Sequence, residues 1–369
     1  MKSIFITGAG SGMGREGARL FHAKGWRVGA VDRDDAGLAT LSGELGAGLW
    51  TRVVDVTDKA ALDSALADFC AGNTGGALDM MWNNAGIGEG GWFEDVPYDV
   101  AMRVVDINFK AVLTGAYGAL PYLKKIPGSL MFSTSSSSAT YGMPRLAVYS
   151  ATKHAVKGLT EALSVEWQRH GVRVADVLPG LIDTAILTST RQHSEEGAPT
   201  LSAQQIRAAA PKKGMFRLMP ATSVAEAAWR AYQHPTRLHW YVPQSIRWID
   251  RLKGVSPEFV RRLIIKALPR LQPGSSKVSC TRLGPAMSTT STRPTRPTRP
   301  TRPTTEVAGA KPVGKGGSDC RGRGRGPFRV RRGADSTPQG RTSDNRWIYT
   351  HHASGRMQPG ADLPDYRHP

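Results

Sequence analysis

SIFITGAGSGMG, residues 3–14, passes from a short apolar run straight into a loop with glycine at 8, 10, 12 and 14. An apolar run of this length, bounded by glycine, reads as a buried strand. The stretch from Met13 to Lys24 that follows reads as a helix. A glycine-rich turn between a strand and a helix lets the main chain approach a pyrophosphate closely. The helix then offers free N–H groups and the positive end of its dipole to the same anion. A lone glycine-rich loop is a weak signal, but here it stands in the strand–loop–helix setting that a dinucleotide fingerprint requires.

The same rhythm continues outward from that loop. WRVGAVD (26–32), LWTRVVDV (49–56), ALDMMWNNAG (77–86), GSLMFST (128–134), VRVADVLPG (172–180) and LHWYV (238–242) read as strands. Helical patterns over 34–44, 58–70, 98–124 and 149–170 lie between them. Strands alternating with helices predict an α/β fold, a doubly wound parallel sheet of Rossmann type, with its ligand at the carboxyl ends of the strands. Residues 184–220 break the rhythm with a polar, Ser/Thr-rich stretch and read as a lid beside that ligand.

Charge divides the chain of 369 residues: net −3 over residues 1–200, +10 over 201–270 and +12 over 271–369. The overall +19 therefore belongs to the C-terminal part and carries no message about the substrate of the N-terminal part. A single domain is expected over 1–244, followed by a basic amphipathic helical extension over 245–272. Residues 273–369 contain TRPTRPTRPTRP and RGRGRGPFRVRR and too few branched apolar residues to fold alone. Such a tail reads either as a phosphate-binding Arg/Gly segment or as read-through or frame-shifted sequence, and nucleic acid is not the expected partner. In the extension, Gly254 and Pro257 predict two short helices whose apolar residues (Trp248, Ile249, Leu252, Phe259, Val260, Leu263, Ile264, Leu268) alternate with Arg and Lys. Two readings stay open for their apolar face: it packs on the preceding domain or an oligomer interface, or it lies in a membrane surface. Cys70, Cys280 and Cys320 have no metal-ligand spacing, so no metal is expected and a reduced, cytoplasmic setting is. The N-terminal apolar run is too short for a signal peptide, and no run approaches the ~18–20 residues of a membrane span.

Two further groups bear on chemistry. Asp32 ends the second strand, 18 residues after Gly14, where a carboxylate accepts hydrogen bonds from ribose hydroxyls and repels a 2′-phosphate. Arg33 beside it argues the other way, since a guanidinium pairs with phosphate. Tyr149 and Lys153 are four apart on a helix and so share a face. A lysine ammonium beside a phenol favours the phenolate, so the Tyr149 pKa is expected to fall toward the range of a general acid–base.

In chain order, TGAGSGMG (7–14), DVTD (55–58), NNAG (83–86), Asn108, the serines of 133–138, YSATK (149–153) and LPG (178–180) resemble the short-chain dehydrogenase/reductase family over residues 2–245. The resemblance implies a nicotinamide-dependent oxidoreductase acting on a secondary alcohol or ketone, with NAD preferred over NADP because of Asp32 and the absence of a basic residue at Ser11. It implies Tyr149 as acid–base. It places the substrate-holding serine 13 positions earlier, at Ser136, with Pro144 eight positions after that serine. By the same resemblance Lys153 is expected to bind the nicotinamide ribose, and Asn108 to support the long helix and a water relay to Lys153. The resemblance also implies that Gly8, Ser11, Gly12, Met13 and Gly14 form the pyrophosphate loop, that Asp32 and Arg33, then Asp55 and Val56, flank the adenosine, that Asn84, Ala85 and Gly86 line the middle, and that Pro179, Gly180, Ile182 and Thr184 flank the nicotinamide. Trp82 departs from the family's smaller residue, which alters packing beneath the cofactor. Tyr141, Leu146 and Trp92 are expected to border the substrate, and the subunit to form a homodimer or homotetramer through 98–124 and 149–170. A non-catalytic NAD-binding scaffold is the competing reading.

Overall fold

A computed structural model describes residues 1–73, 75–193 and 203–267. Seven strands form one sheet: β1 Ser3–Thr7, β2 Arg27–Asp32, β3 Leu49–Val53, β4 Met80–Asn83, β5 Leu130–Thr134, β6 Arg173–Pro179 and β7 His239–Val242. They lie in the order β3-β2-β1-β4-β5-β6-β7, every pair parallel. The order reverses between β1 and β4, so the loops after these two strands part there and leave a crevice.

The sheet is covered on both faces, which is why its strands read as continuous apolar runs. Successive side chains of a strand point to opposite faces. Ile4, Ile6, Met80 and Trp82 therefore pack on one side, with α1 (Gly12–Ala23), α2 (Asp35–Leu45) and the helix Thr222–Gln233. Phe5, Met81 and Met131 pack on the other, with α3 (Lys59–Asn73) and Ala116, Ala119 and Leu123 of the long helical stretch.

The helix Thr222–Gln233 is absent from the sequence reading. Its buried face is made of Val224 and four alanines, 225, 227, 228 and 231, too small to signal an apolar period. The expected helix at 98–124 is three pieces: α4 (Tyr98–Val105), a π-helical turn over Asp106–Lys110, and α5 (Ala111–Leu123). After α6 (Ala147–Glu166), the extra segment forms α7 (Ile186–Ser189) and α8 (Ala203–Ala209), and the helix Thr222–Gln233 is α9. The extension is α10 (Arg247–Val255) and α11 (Pro257–Ala267), broken at Ser256 between the two residues expected to divide it. The tail over 273–369, with Cys280 and Cys320, lies outside the described residues.

Candidate active site

The glycine loop is shaped by close approach. Gly8 and Gly12 have φ of +70° and +52°, a region that L side chains rarely occupy. A Cβ on Gly14 would stand 2.1 Å from the Gly8 carbonyl oxygen. Thr7 and Asn84 anchor this loop to the end of β4. The Thr7 hydroxyl accepts from the main-chain N–H of Asn84 and Ala85 at 3.0 and 3.1 Å. The Asn84 amide donates to the carbonyls of Thr7 and Gly8 at 3.1 and 3.2 Å.

Asp32 closes the adenosine end. Its carboxylate accepts from Gly10 N–H at 2.8 Å and from Asp34 N–H at 3.0 Å, so it is pinned across the loop. Asp34 in turn caps α2 by accepting from Gly37 N–H. Hydrogen bonds from the Thr57 main chain and hydroxyl hold the Asp55 carboxyl below its ordinary range, and the charges of Arg33 and Arg103 add to this. Arg33 thus faces a carboxylate as well as the crevice. Arg15 donates to the Gly37 carbonyl at 2.8 Å and does not line the crevice.

A cavity of about 260 Å³ runs through this crevice. Gly8, Ser11, Gly12, Met13, Asp32, Arg33, Asp55, Val56, Asn84, Ala85, Gly86 and Thr184 all line it. Gly14 supports the loop from behind. Ile182 does not line it: this side chain is buried in the core beneath α1 and α9, and its strand-like segment pairs with Met219–Pro220. Gly180 donates its N–H to the Val242 carbonyl, and it packs under Ile246. Neither Pro179 nor Gly180 lines the cavity. Residues 184–193 form a side wall. Thr184 stands across from Gly12; Ala185, Ile186 and Ser189 line the cavity; Arg191–Gln192 pairs with Glu89–Gly90. His193 Nε2 lies 3.0 Å from Glu89 Oε2, joining this wall to the loop after β4.

The serine cluster is sorted by geometry. Ser135 donates to the Lys153 carbonyl of α6 at 2.9 Å and serves the helix main chain. Ser136 hydrogen-bonds the Tyr149 phenol, and its hydroxyl oxygen also accepts from Ser138 N–H at 3.1 Å. Lys153 is buried, its Nζ donating to the Thr134 carbonyl at 2.9 Å and lying 5.7 Å from the centre of the Tyr149 ring. The expected fall of the Tyr149 pKa is not found. Burial pushes the phenol above its ordinary value, and the hydrogen bond from Ser136 only partly opposes it. Burial also lowers Lys153, to about 8, which weakens the ammonium as a source of stabilising charge.

Asn108 also differs from expectation. It sits in the π-helical turn, fully buried, and its amide is committed to the main chain of Ile87: Oδ1 accepts at 2.8 Å and Nδ2 donates at 2.9 Å. It supports the loop after β4 and not its own helix. That loop carries Gly86, where a Cβ would stand 3.2 Å from Asn108 Oδ1 and 3.5 Å from Lys153 Nζ. Trp82 is accommodated by Gly17 of α1, where a Cβ would meet the indole at 2.2 Å. Its N–H donates to the Thr134 hydroxyl at 3.0 Å, which donates on to Asn84 Oδ1 at 3.2 Å. An indole only donates, so this chain orients the Asn84 amide with its NH₂ toward the glycine loop. Sequence reasoning missed this link because its members, 82, 84 and 134, meet only when β4 and β5 pair.

A second cavity, about 250 Å³, lies beside the first turn of α6. Phe93, Val96, Tyr98, Val104, Arg145 and Val148 line it, whereas Tyr141, Leu146 and Trp92 line neither cavity. Among the described residues no group of three or more His, Cys, Asp or Glu is placed to hold a metal ion.

The short chain dehydrogenase profile matches residues 2–195, and the chain belongs to that family. Levodione reductase of Leifsonia aquatica is 30% identical over 217 residues, which span 57% of this chain and 80% of that protein. Among solved structures, a 3-ketoacyl-(acyl-carrier-protein) reductase from Brucella melitensis complexed with NADH is 29% identical, with a TM-score of 0.57 over 65% of this chain and 96% of that one. A short chain dehydrogenase/reductase from Burkholderia phymatum in complex with NAD is 27% identical, with a TM-score of 0.60 over 70% and 94%. The chain is thus a short-chain oxidoreductase with a nicotinamide-binding Rossmann core.

Proposed function

We propose that the protein interconverts a secondary alcohol and a ketone with NAD, using Tyr149 as the general acid–base. The observation that carries this reading is the grouping of Ser136, Tyr149 and Lys153 at the carboxyl ends of the strands, with the phenol hydrogen-bonded to Ser136. The residues around the main cavity fit a dinucleotide: glycines where a side chain would collide, a pinned carboxylate for ribose hydroxyls, and Thr184 closing the far side. The nicotinamide supplies the hydride acceptor or donor. The chain's own groups do the rest. Ser136 holds the substrate oxygen, and Tyr149 gives or takes its proton. Lys153 orients the ribose, and Asn108 keeps the Ile87 main chain in place.

NAD is the preferred cofactor in this reading. Asp32 is held rigidly by two main-chain N–H groups and cannot swing away from a 2′-phosphate. Arg33, the one basic residue lining the cavity among those described, already faces Asp55. The test is a panel of secondary alcohols and ketones assayed with NAD and NADP. Turnover with a kcat/KM ratio favouring NAD supports the proposal. NADH binding with no turnover on any of them points to the scaffold reading, and a ratio favouring NADP means that Arg33 outweighs Asp32.

A further inference from the structure

We propose that the outward face of α10 and α11 is an anchor for an anionic lipid surface. The helix α10 docks on the core by its charged side. Lys157 of α6 donates to both Asp250 oxygens at 2.8 Å, Tyr241 donates to Asp250 at 2.6 Å, and Lys253 Nζ lies 3.1 Å from His154 Nε2. Ile249 is half-buried, and the remaining apolar residues of α10 form a stripe that points away from the protein. Trp248, Leu252 and Val255, spaced four and three apart, share that face, with Trp248 52% and Val255 86% exposed. On α11, Val260 is buried while Phe259, Leu263 and Ile265 are exposed.

Cations frame this surface. Arg247 and Arg251 stack over the Trp248 ring at 5.1 and 5.2 Å, and Arg261, Arg262 and Lys266 are exposed on α11. The two carboxylates of the segment are engaged, Asp250 inward and Glu258 with Arg261 at 3.6 Å. Charge selects among the possible covers. A second copy meeting this face across a two-fold axis would set these cations against themselves. The chain's own residues 271–369 carry charge of the same sign, net +12. A nucleic acid would satisfy the arginines but offers no medium in which Trp248, Leu252, Val255 and Phe259 can be buried. The interface of an anionic bilayer satisfies both, taking the apolar stripe among the acyl chains and the arginines at the phosphates.

The test uses the full-length protein with vesicles of phosphatidylcholine alone or of equal parts phosphatidylcholine and phosphatidylglycerol. The protein is expected to sediment with the anionic vesicles at low ionic strength and to be largely released at roughly 0.5 M salt. Trp248→Ser/Leu252→Ser/Val255→Ser is expected to lower the partition coefficient at least about tenfold, with an unchanged melting temperature. Should that variant fail to fold, bromine-labelled phosphatidylcholine in the anionic vesicles supplies a second readout. It is expected to quench the fluorescence of the native protein and not the corresponding component in Trp248→Phe. Several results overturn the proposal: equal binding by the folded triple variant, which assigns binding to the basic tail; binding to duplex DNA without binding to vesicles; loss of self-association in the triple variant; or no quenching.

Discussion

Tyr149 and Ser136 carry the sharpest expectations at the residue scale. Tyr149→Phe removes the proton-transferring oxygen but leaves the ring in place. It is expected to lower kcat by about 10²–10⁴-fold while the NADH Kd stays within roughly twofold. Ser136→Ala is expected to be comparably damaging. Ser135→Ala loses a bond to the α6 main chain, costs about 1 kcal/mol of stability and keeps turnover. The opposite pattern, an active Ser136→Ala and a crippled Ser135→Ala, would displace the assignment by one residue. The raised Tyr149 pKa has a signed consequence. Ketone reduction needs the protonated phenol and alcohol oxidation the phenolate. Reduction is therefore expected to show no loss from Tyr149 titration through neutral pH, whereas oxidation climbs steadily with pH into the alkaline range. Initial rates in both directions against pH check this, and an oxidation rate that levels off near neutrality would contradict it. The four-residue spacing of Tyr149 and Lys153 was legible in the sequence. The direction of the pKa shift was not, because it depends on how much solvent the surrounding elements remove from each group.

At the scale of elements, the wall made by residues 184–193 is the part most open to test. It is joined to the loop after β4 by the pairing of Arg191–Gln192 with Glu89–Gly90 and by the His193–Glu89 contact. His193→Ala breaks the side-chain tie and leaves the main-chain pairing. It is expected to raise the NADH Kd roughly three- to tenfold, because Thr184 and Ile186 on the same wall lose their fixed position over the cavity. Fluorescence titration with NADH measures it, and an unchanged Kd would mean that main-chain pairing alone holds the wall. A break in the strand–helix rhythm marked this segment in the sequence. Its contact with residues 88–90 was hidden, since about a hundred residues separate the partners. The π-helical turn at Asn108 was likewise invisible, because one extra residue in a helical turn leaves the apolar period nearly unchanged.

For the whole molecule, α4, α5 and α6 leave large side chains in water: Tyr98 is 80%, Tyr117 73% and Val165 70% exposed. We propose these helices as the self-association surface. Sedimentation velocity at micromolar concentration is expected to show a dimer or tetramer, with Tyr117→Glu/Val165→Glu shifting it toward monomer. A monomeric wild-type protein would rule this surface out. Ile246 is buried against Gly180, and Asp250 reaches Lys157 and Tyr241, so the extension is attached to the sheet's edge as well as following it.

By itself the sequence determined the parallel α/β architecture and pointed to the glycine loop and the Tyr149–Lys153 pair, because these are written in local signals, whereas Pro179, Gly180 and Ile182 lie off the cavity that they were expected to line. Apolar runs of strand length alternate with helical periods, and glycines stand at 8, 12 and 14 where only glycine fits. Tyr149 and Lys153 fall on one helix face. Tertiary structure alone decided what each member does with its polar atoms. Asn108 turns to Ile87, Ile182 enters the core, Trp82 reaches Thr134, and α10 presents Trp248, Leu252 and Val255 outward because Asp250 finds partners on α6 and β7 and Lys253 finds one on α6. Periodicity specifies that a helix has two faces; which face turns inward follows from the charges waiting on the neighbouring element.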